Sequence, residues 1–252
     1  STRHRISENT TDAFFLSVDG GVDMHMHGPI FFDAILKLIK EGKLTEERIN
    51  KACAKILEAK FRLGLFETRY VTEAGIKKTV FTKKHQQTAL EIARRSIVLL
   101  KNESLLPVDT QKFKKILMTG PNANNQSIMG DWVFEQPEKN VSTILKGIKE
   151  EASGTQINYV DVGWNMRALD SAKIEKAIQT AKSSDLAIVI VGEDSFRQHW
   201  KEKTCGENRD RMDITLWGKQ DYLVESIYKT GVPTIVILVN GRPLATGWVA
   251  EN

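Results

Sequence analysis

Two uninterrupted apolar runs constrain this chain more than any other feature. Leu186-Ala187-Ile188-Val189-Ile190-Val191 and Thr234-Ile235-Val236-Ile237-Leu238-Val239 show no apolar/polar alternation. A strand with one wet face alternates. A strand covered on both faces does not, and such strands belong to parallel sheets with helices above and below. Both runs are therefore predicted to be fully buried strands. Helical patterns surround them: Ser171–Lys182, with Ile174, Ala177, Ile178 and Ala181 on one stripe, and Gly218–Tyr228, stopped by Gly231. Upstream, Ile116–Thr119 and Ile157–Val162 read as further strands and Val141–Glu151 as a helix. The fold class that follows is α/β, an α/β/α sandwich with a mostly parallel sheet.

Residues 1–66 read differently. They hold three helical patterns: Thr11–Asp19 closed by Gly20-Gly21, Phe31–Glu41 closed by Gly42, and a third from its cap at Thr45 to Phe61, closed by Gly64. Phe32, Ile35, Leu36 and Ile39 recur at helical spacing in the second, and Ile49, Ala52, Cys53, Ile56 and Leu57 line one face of the third. That stripe makes Cys53 a buried filler. Nothing in 1–66 supplies a sheet for these helices to cover, so a partner layer is expected upstream, in a longer protein. Residues 67–83, charged and weakly periodic, read as a linker. The sandwich domain is expected over 84–252, opening with a helix at Lys84–Arg95 and a strand at Ser96–Leu100.

Composition removes several classes of function. The chain has 252 residues, and its 36 Lys and Arg against 32 Asp and Glu leave a net charge of only +4. No polybasic arm suits nucleic acid, and no stretch approaches the roughly 18 apolar residues of a spanning helix, so neither nucleic acid nor membrane is expected as a partner. Two cysteines, Cys53 and Cys205, cannot form a disulfide framework and leave the compartment open. His25 and His27 would share a face of an extended segment, but two histidines without a third ligand do not make a metal site. No metal or organic cofactor is expected.

In open α/β sheets, ligands meet the loops at the carboxyl ends of strands, and three such loops stand out. Gly120–Asn125 lacks the glycine spacing of a phosphate cradle and reads as a structural turn. Asn240–Pro243 follows the second buried run. Between them, Gly192–Asp213 is unusually long, and loops of that length in compact domains are mostly functional. It carries Glu193, Asp194, His199, Trp200, Glu202, Glu207, Asp210, Arg211 and Asp213. Carboxyl groups beside arginine and aromatic rings suit sugar chemistry: a ring face packs on a pyranose, and a carboxyl group protonates a glycosidic oxygen. A solvated charged loop is the competing reading.

Several blocks then occur in a familiar order: Gly21-Val22-Asp23-Met24-His25-Met26, Lys60-Phe61-Arg62-Leu63-Gly64-Leu65-Phe66, Ala93–Asn102, Gly120-Pro121-Asn122-Ala123 and Asn240-Gly241-Arg242-Pro243-Leu244. With them the sequence resembles glycoside hydrolase family 3, the β-glucosidase and β-xylosidase family. The resemblance implies that 1–66 are the closing helices of a (β/α)8 barrel and 84–252 a C-terminally shortened α/β sandwich. It implies a retaining mechanism with two carboxylates. The nucleophile would be an Asp in an SDW-like barrel loop, which this chain lacks; Gly130-Asp131-Trp132 is only superficially similar, lies in the second domain, and takes no such role. The acid/base would be a Glu in a pattern that Glu207–Gly218 fits, which implies Glu207, with Glu202 and Glu193 as alternates. Trp200 and Arg211 are then the expected sugar-binding residues. Two positions depart from the family pattern: Asn208 stands for a Gly, bearing on loop geometry, and Trp217 for a Pro, bearing on the helix start. The whole protein is expected to hydrolyse terminal β-linked glucosyl or similar residues, in the periplasm or secreted, with this chain inactive alone and self-associating through its barrel-facing helices. The alternative is a non-catalytic carbohydrate-binding or structural module.

Overall fold

A computed structural model describes residues 5–252. The chain divides into two compact units, one ending at Val98 and one running from Leu99 to Asn252.

The first unit is helical: α1 (Thr10–Asp19), α2 (Phe31–Lys40), α3 (Glu46–Arg62), α4 (Glu73–Thr79) and α5 (Lys83–Ser96). Its helices begin where side-chain oxygens satisfy the first free amides. Asn9 accepts from the Asp12 N–H, Thr45 from Arg48, Thr72 from Gly75 and Thr82 from His85. Glu46 and Glu47 lie at the positive end of α3. Val18, Ile35, Leu38 and Leu44 form a small core, flanked by Phe14, Phe15, Phe31, Ile39 and Ile49. One side chain ties the loop after α1 to α3. Arg48 donates to the carbonyls of Val18 and Val22 and to the Asp23 carboxylate, which also takes Lys55.

Three expectations change here. Cys53 is exposed. The buried side of α3 is marked by Ala52, with Ile49 and Ile56 half covered, and the next residue along a helix lies about 100° round from it. Residues 97–100 pair with no strand among the described residues, and Ile97, Val98, Leu99 and Leu100 stay largely exposed. The segment expected to be a linker contains α4 and the start of α5, and the boundary between units falls at Val98 and Leu99 rather than before Lys84.

The second unit alternates strands and helices: β1 (Lys115–Thr119), α6 (Ile144–Glu151), β2 (Gln156–Val160), α7 (Ser171–Ala181), β3 (Leu186–Gly192), α8 (Gln220–Tyr228), β4 (Thr234–Val239) and α9 (Gly247–Glu251). The four strands lie in the order β2-β1-β3-β4, every pairing parallel. Successive residues of β3 face opposite cores. Ala187, Val189 and Val191 pack with Ile174, Ala177 and Leu223, while Leu186, Ile188 and Ile190 pack with Phe113, Met118 and Leu145. This two-sided burial is what the unbroken apolar run demanded, at roughly 1.5–3 kcal/mol for each large side chain taken from water. The second apolar run forms β4 but is only half-buried along its length, not fully buried, because β4 pairs with β3 alone and is the edge of this sheet.

The strand order fixes where loops meet. The chain passes from β1 outward to β2, then returns across the sheet to β3 and β4, so the loops leaving β1 and β3 part at a switch point with a crevice between them. Gly192 ends β3 with φ +141°, and a Cβ there would stand 2.0 Å from the Val239 carbonyl oxygen, so only glycine lets the two strands close at this edge.

Candidate functional site

The loops after β1 and β3 meet over one carboxylate. Asp131, in the β1 loop, accepts from Lys203 Nζ at 3.1 and 3.0 Å, from Arg197 Nη1 at 3.3 Å and from the Glu207 backbone N–H at 2.7 Å. The Lys203 side chain is wholly buried, and its ammonium also lies 4.3 Å from the Trp200 ring centre. An ammonium out of water requires a counter-charge, and Asp131 supplies it. Burial alone would raise the Asp131 pKa. The hydrogen bond from Glu207 and the charges of Lys203 and Arg197 outweigh that and hold it below the ordinary carboxylate range.

Glu207 itself is half exposed. Its carboxylate takes Arg197 Nη1 at 3.1 Å, so one guanidinium touches both Asp131 and Glu207. Arg197 lies 3.6 Å over the largely exposed Trp132 ring and 5.3 Å from that of Trp200. Around Glu207 the backbone is specialised. Gly206 has φ +90°, and a Cβ on it would come within 2.6 Å of Asp131 Oδ2. Asn208, standing where the family pattern has glycine, adopts φ +59°, a left-handed conformation that Asn tolerates better than most residues.

The alternates sit elsewhere in the loop. Glu193 is buried at the end of β3, with Arg211 Nη1 and Arg242 Nε each 3.4 Å from Oε1 and with Oε2 lacking a partner. Glu202 is half-buried, and its carbonyl accepts from Arg167. Arg211 is packed inside the loop: it donates to the Thr215 carbonyl at 2.7 Å and stacks 4.5 Å from the Trp217 ring. Trp217 therefore packs within the loop rather than beginning a helix. Arg167 covers it too, at 3.8 Å, and α8 starts only at Gln220. Trp200 is partly exposed, its ring facing Lys203, Arg197 and Arg209, and its carbonyl accepts from Arg209.

Asp194 organises the other wall. Its buried carboxylate accepts from Ser127 Oγ at 2.7 Å and the Phe196 N–H at 2.8 Å, and it pairs with His199 Nδ1 at 2.5 Å. Trp164 stacks on that imidazole at 3.8 Å. Beside the pair opens a cavity of about 270 Å³, lined among others by Asn124, Gln126, Glu135, Tyr159 and Asp161. Burial, with Asp161 nearby, pushes the Tyr159 phenol up to about 12. The Gly120–Asn125 turn joins the same wall: buried Asn122 donates to the Glu193 carbonyl, and Asn125 caps the turn that carries Ser127. The third loop closes the back, Arg242 reaching the Arg209 carbonyl at 2.8 Å and Gly241 lying against the Cys205 sulfur.

Arg197 and Lys203 escaped the sequence reading. Lys201-Glu202-Lys203 gives no sign of which lysine turns inward. In the sequence Asp131 is only a superficial nucleophile match, and the signal that matters, a carboxylate in the loop after the strand beside β3, is topological. Among the described residues no cluster of three or more His, Cys, Asp or Glu side chains is arranged for a metal, and His25 instead stacks on Phe31 at 4.3 Å.

Comparison with known proteins agrees with this architecture. Residues 97–252 match the glycosyl hydrolase family 3 C-terminal domain. The whole chain is 35% identical to a β-xylosidase of Formosa agariphila, covering 36% of it, and 96% of the chain is 29% identical to a periplasmic β-glucosidase of Salmonella typhimurium, covering 34% of that protein. A crystal structure of β-glucosidase from Listeria innocua superposes on 99% of the chain with a TM-score of 0.80 at 27% identity, the match covering 33% of that enzyme, which has also been solved with glucose. The chain thus spans about a third of the length of these relatives. With its parallel sheet, its crossed loops and this match over most of its length, the chain belongs to glycosyl hydrolase family 3.

Proposed function

We propose that this chain carries the acid/base half of a retaining β-glycosidase, with Glu207 as the proton donor and acceptor. The observation that carries the reading is the presentation of Glu207: a half-exposed carboxylate at the sheet's switch point, referenced to Asp131 through both its backbone N–H and Arg197, the guanidinium of which also faces the exposed rings of Trp132 and Trp200. In the first step Glu207 protonates the leaving oxygen while an Asp from outside this chain attacks the anomeric carbon. In the second, Glu207 takes a proton from water as water attacks the glycosyl-enzyme. Two carboxylates suffice for this chemistry, with no metal or organic cofactor.

Trp200 offers a partly exposed ring to a sugar. Arg211, sequestered with Glu193 and Trp217, suits a strut that holds the loop better than a direct substrate contact. The names of the relatives favour a β-glucoside or β-xyloside substrate, and that of the Salmonella protein favours a periplasmic or secreted setting. No described helix is long and apolar enough to cross a membrane.

The test is Glu207→Gln in the full-length protein. Hydrolysis of a β-linked disaccharide should fall about 10²–10⁴-fold. A dinitrophenyl glycoside, whose leaving group departs without a proton, should lose less in the first step, and added azide should restore turnover by replacing water. Loss on Glu202→Gln or Glu193→Gln with Glu207→Gln unaffected would move the acid to another part of the loop.

A further inference from the structure

The loop geometry points to Asp131 as a positioning residue for Glu207; this rests on the reading of Glu207 as the acid/base. Asp131 does not present itself to a substrate. Both its oxygens are occupied by Lys203, and Arg197 and the Glu207 N–H take the remaining lone pairs. What distinguishes it from an ordinary structural ion pair is where those donors lie. One is the main-chain N–H of Glu207 itself, which fixes the Cα from which the side chain swings. Another is the guanidinium of Arg197, which simultaneously holds the far end of the same side chain at 3.1 Å. The root and the tip of Glu207 are therefore both referred to a single group on a different loop.

Two further features serve the same contact. Lys203 is buried with Asp131 as its acidic partner, so the carboxylate is held ionised and in place. Gly206, immediately before Glu207, carries no side chain where a Cβ would meet Asp131 Oδ2 at 2.6 Å. The loop is shaped to admit this carboxylate. Displacing an acid by about 1 Å costs on the order of 10²-fold in rate, and the loss falls on substrates that need the proton.

The experiment uses the full-length protein and two substrates, a β-linked disaccharide and the matching dinitrophenyl glycoside, glucose or xylose as the wild type prefers. Asp131→Ala/Lys203→Met removes the pair together, so no unpaired charge is left buried. It should lower kcat/KM on the disaccharide about 10–100-fold, while kcat/KM on the dinitrophenyl substrate, which reads the first step alone, loses less than about threefold. Asp131→Asn/Lys203→Met returns an acceptor to the Glu207 N–H and should recover part of the disaccharide rate. Should the alanine variant not fold, Gly206→Ala, which pushes the same N–H off Asp131 without changing charge, should show the same selective loss. A folded variant with the wild-type ratio of the two kcat/KM values overturns the positioning role. Glu207→Gln, run in parallel, separates the two claims: an equal loss of kcat/KM on both substrates would remove the acid/base reading itself, whereas a selective loss there with wild-type behaviour at Asp131 would remove only this inference.

Discussion

Asp131 Oδ2 accepts the backbone N–H of Glu207 at 2.7 Å, a contact that joins residues 76 positions apart. It is also the counter-charge of a lysine with no access to water, and the two roles make unequal demands when either partner is changed.

Asp131→Asn should destabilise the Leu99–Asn252 unit more than Lys203→Met does. The first leaves a buried ammonium without a carboxylate, a loss of about 3–5 kcal/mol. The second leaves Asp131 with Arg197 and the Glu207 N–H still in place. Urea midpoints at neutral pH measure the difference, and equal midpoints would count against the burial of Lys203.

Acid should act through the same carboxylate. The Asp131 pKa is lowered in the folded state, so its contribution is complete above the unfolded value of about 4 and is lost as pH falls through the lower folded value. Unfolding free energy measured from pH 6 to pH 2 should fall less steeply in Asp131→Asn/Lys203→Met than in the wild type.

The two thiols should differ sharply. Cys53 is exposed, whereas Cys205 is buried, and burial, reinforced by the neighbouring Glu193, pushes its thiol up to about 11. Because the thiolate is the reactive form, iodoacetamide at pH 7.5 should label Cys53 in the native protein and reach Cys205 only on unfolding. Peptide mapping after a timed pulse reads both.

Gly192→Ala should prevent or severely weaken folding, by more than about 3 kcal/mol, because a methyl group cannot occupy a point 2.0 Å from the Val239 oxygen without parting β3 from β4. Circular dichroism with urea titration checks this. In the helical unit, Arg48→Ala should cost about 2 kcal/mol by releasing two carbonyls and Asp23 together. Amide exchange at Val22 and Asp23 should then rise ahead of exchange in α2.

The β-strands and the helices between them were legible because their signals are local. Leu186–Val191 has no polar alternation, and Ile174, Ala177, Ile178 and Ala181 repeat at helical spacing. Edge and centre strands share a composition, so the half-burial of β4 depends on the order of strands, which no local run encodes. Ile97–Leu100 carries the same apolar signal as a strand and finds no partner among the described residues. In the candidate site, Glu207 is proposed from its pattern and its long loop. Lys203 and Arg197 were not, because what selects them is a carboxylate contributed by another loop. Asn208 shows the reverse: a departure from pattern bearing on loop geometry adopts a left-handed backbone of the kind glycine tolerates.

The parallel order β2-β1-β3-β4 also has a kinetic consequence. Neither loop of the site can find the other until β3 has crossed back to pair with β1, a closure over dozens of residues whose entropy must be met before any contact repays it. Helices α6 and α7 depend on local signals and can form earlier. On refolding from denaturant, far-ultraviolet ellipticity should therefore recover ahead of the environment of Trp132, whose ring meets Arg197 only once the two loops have met. A stalled intermediate would carry most of its helix while Glu207 was still unanchored.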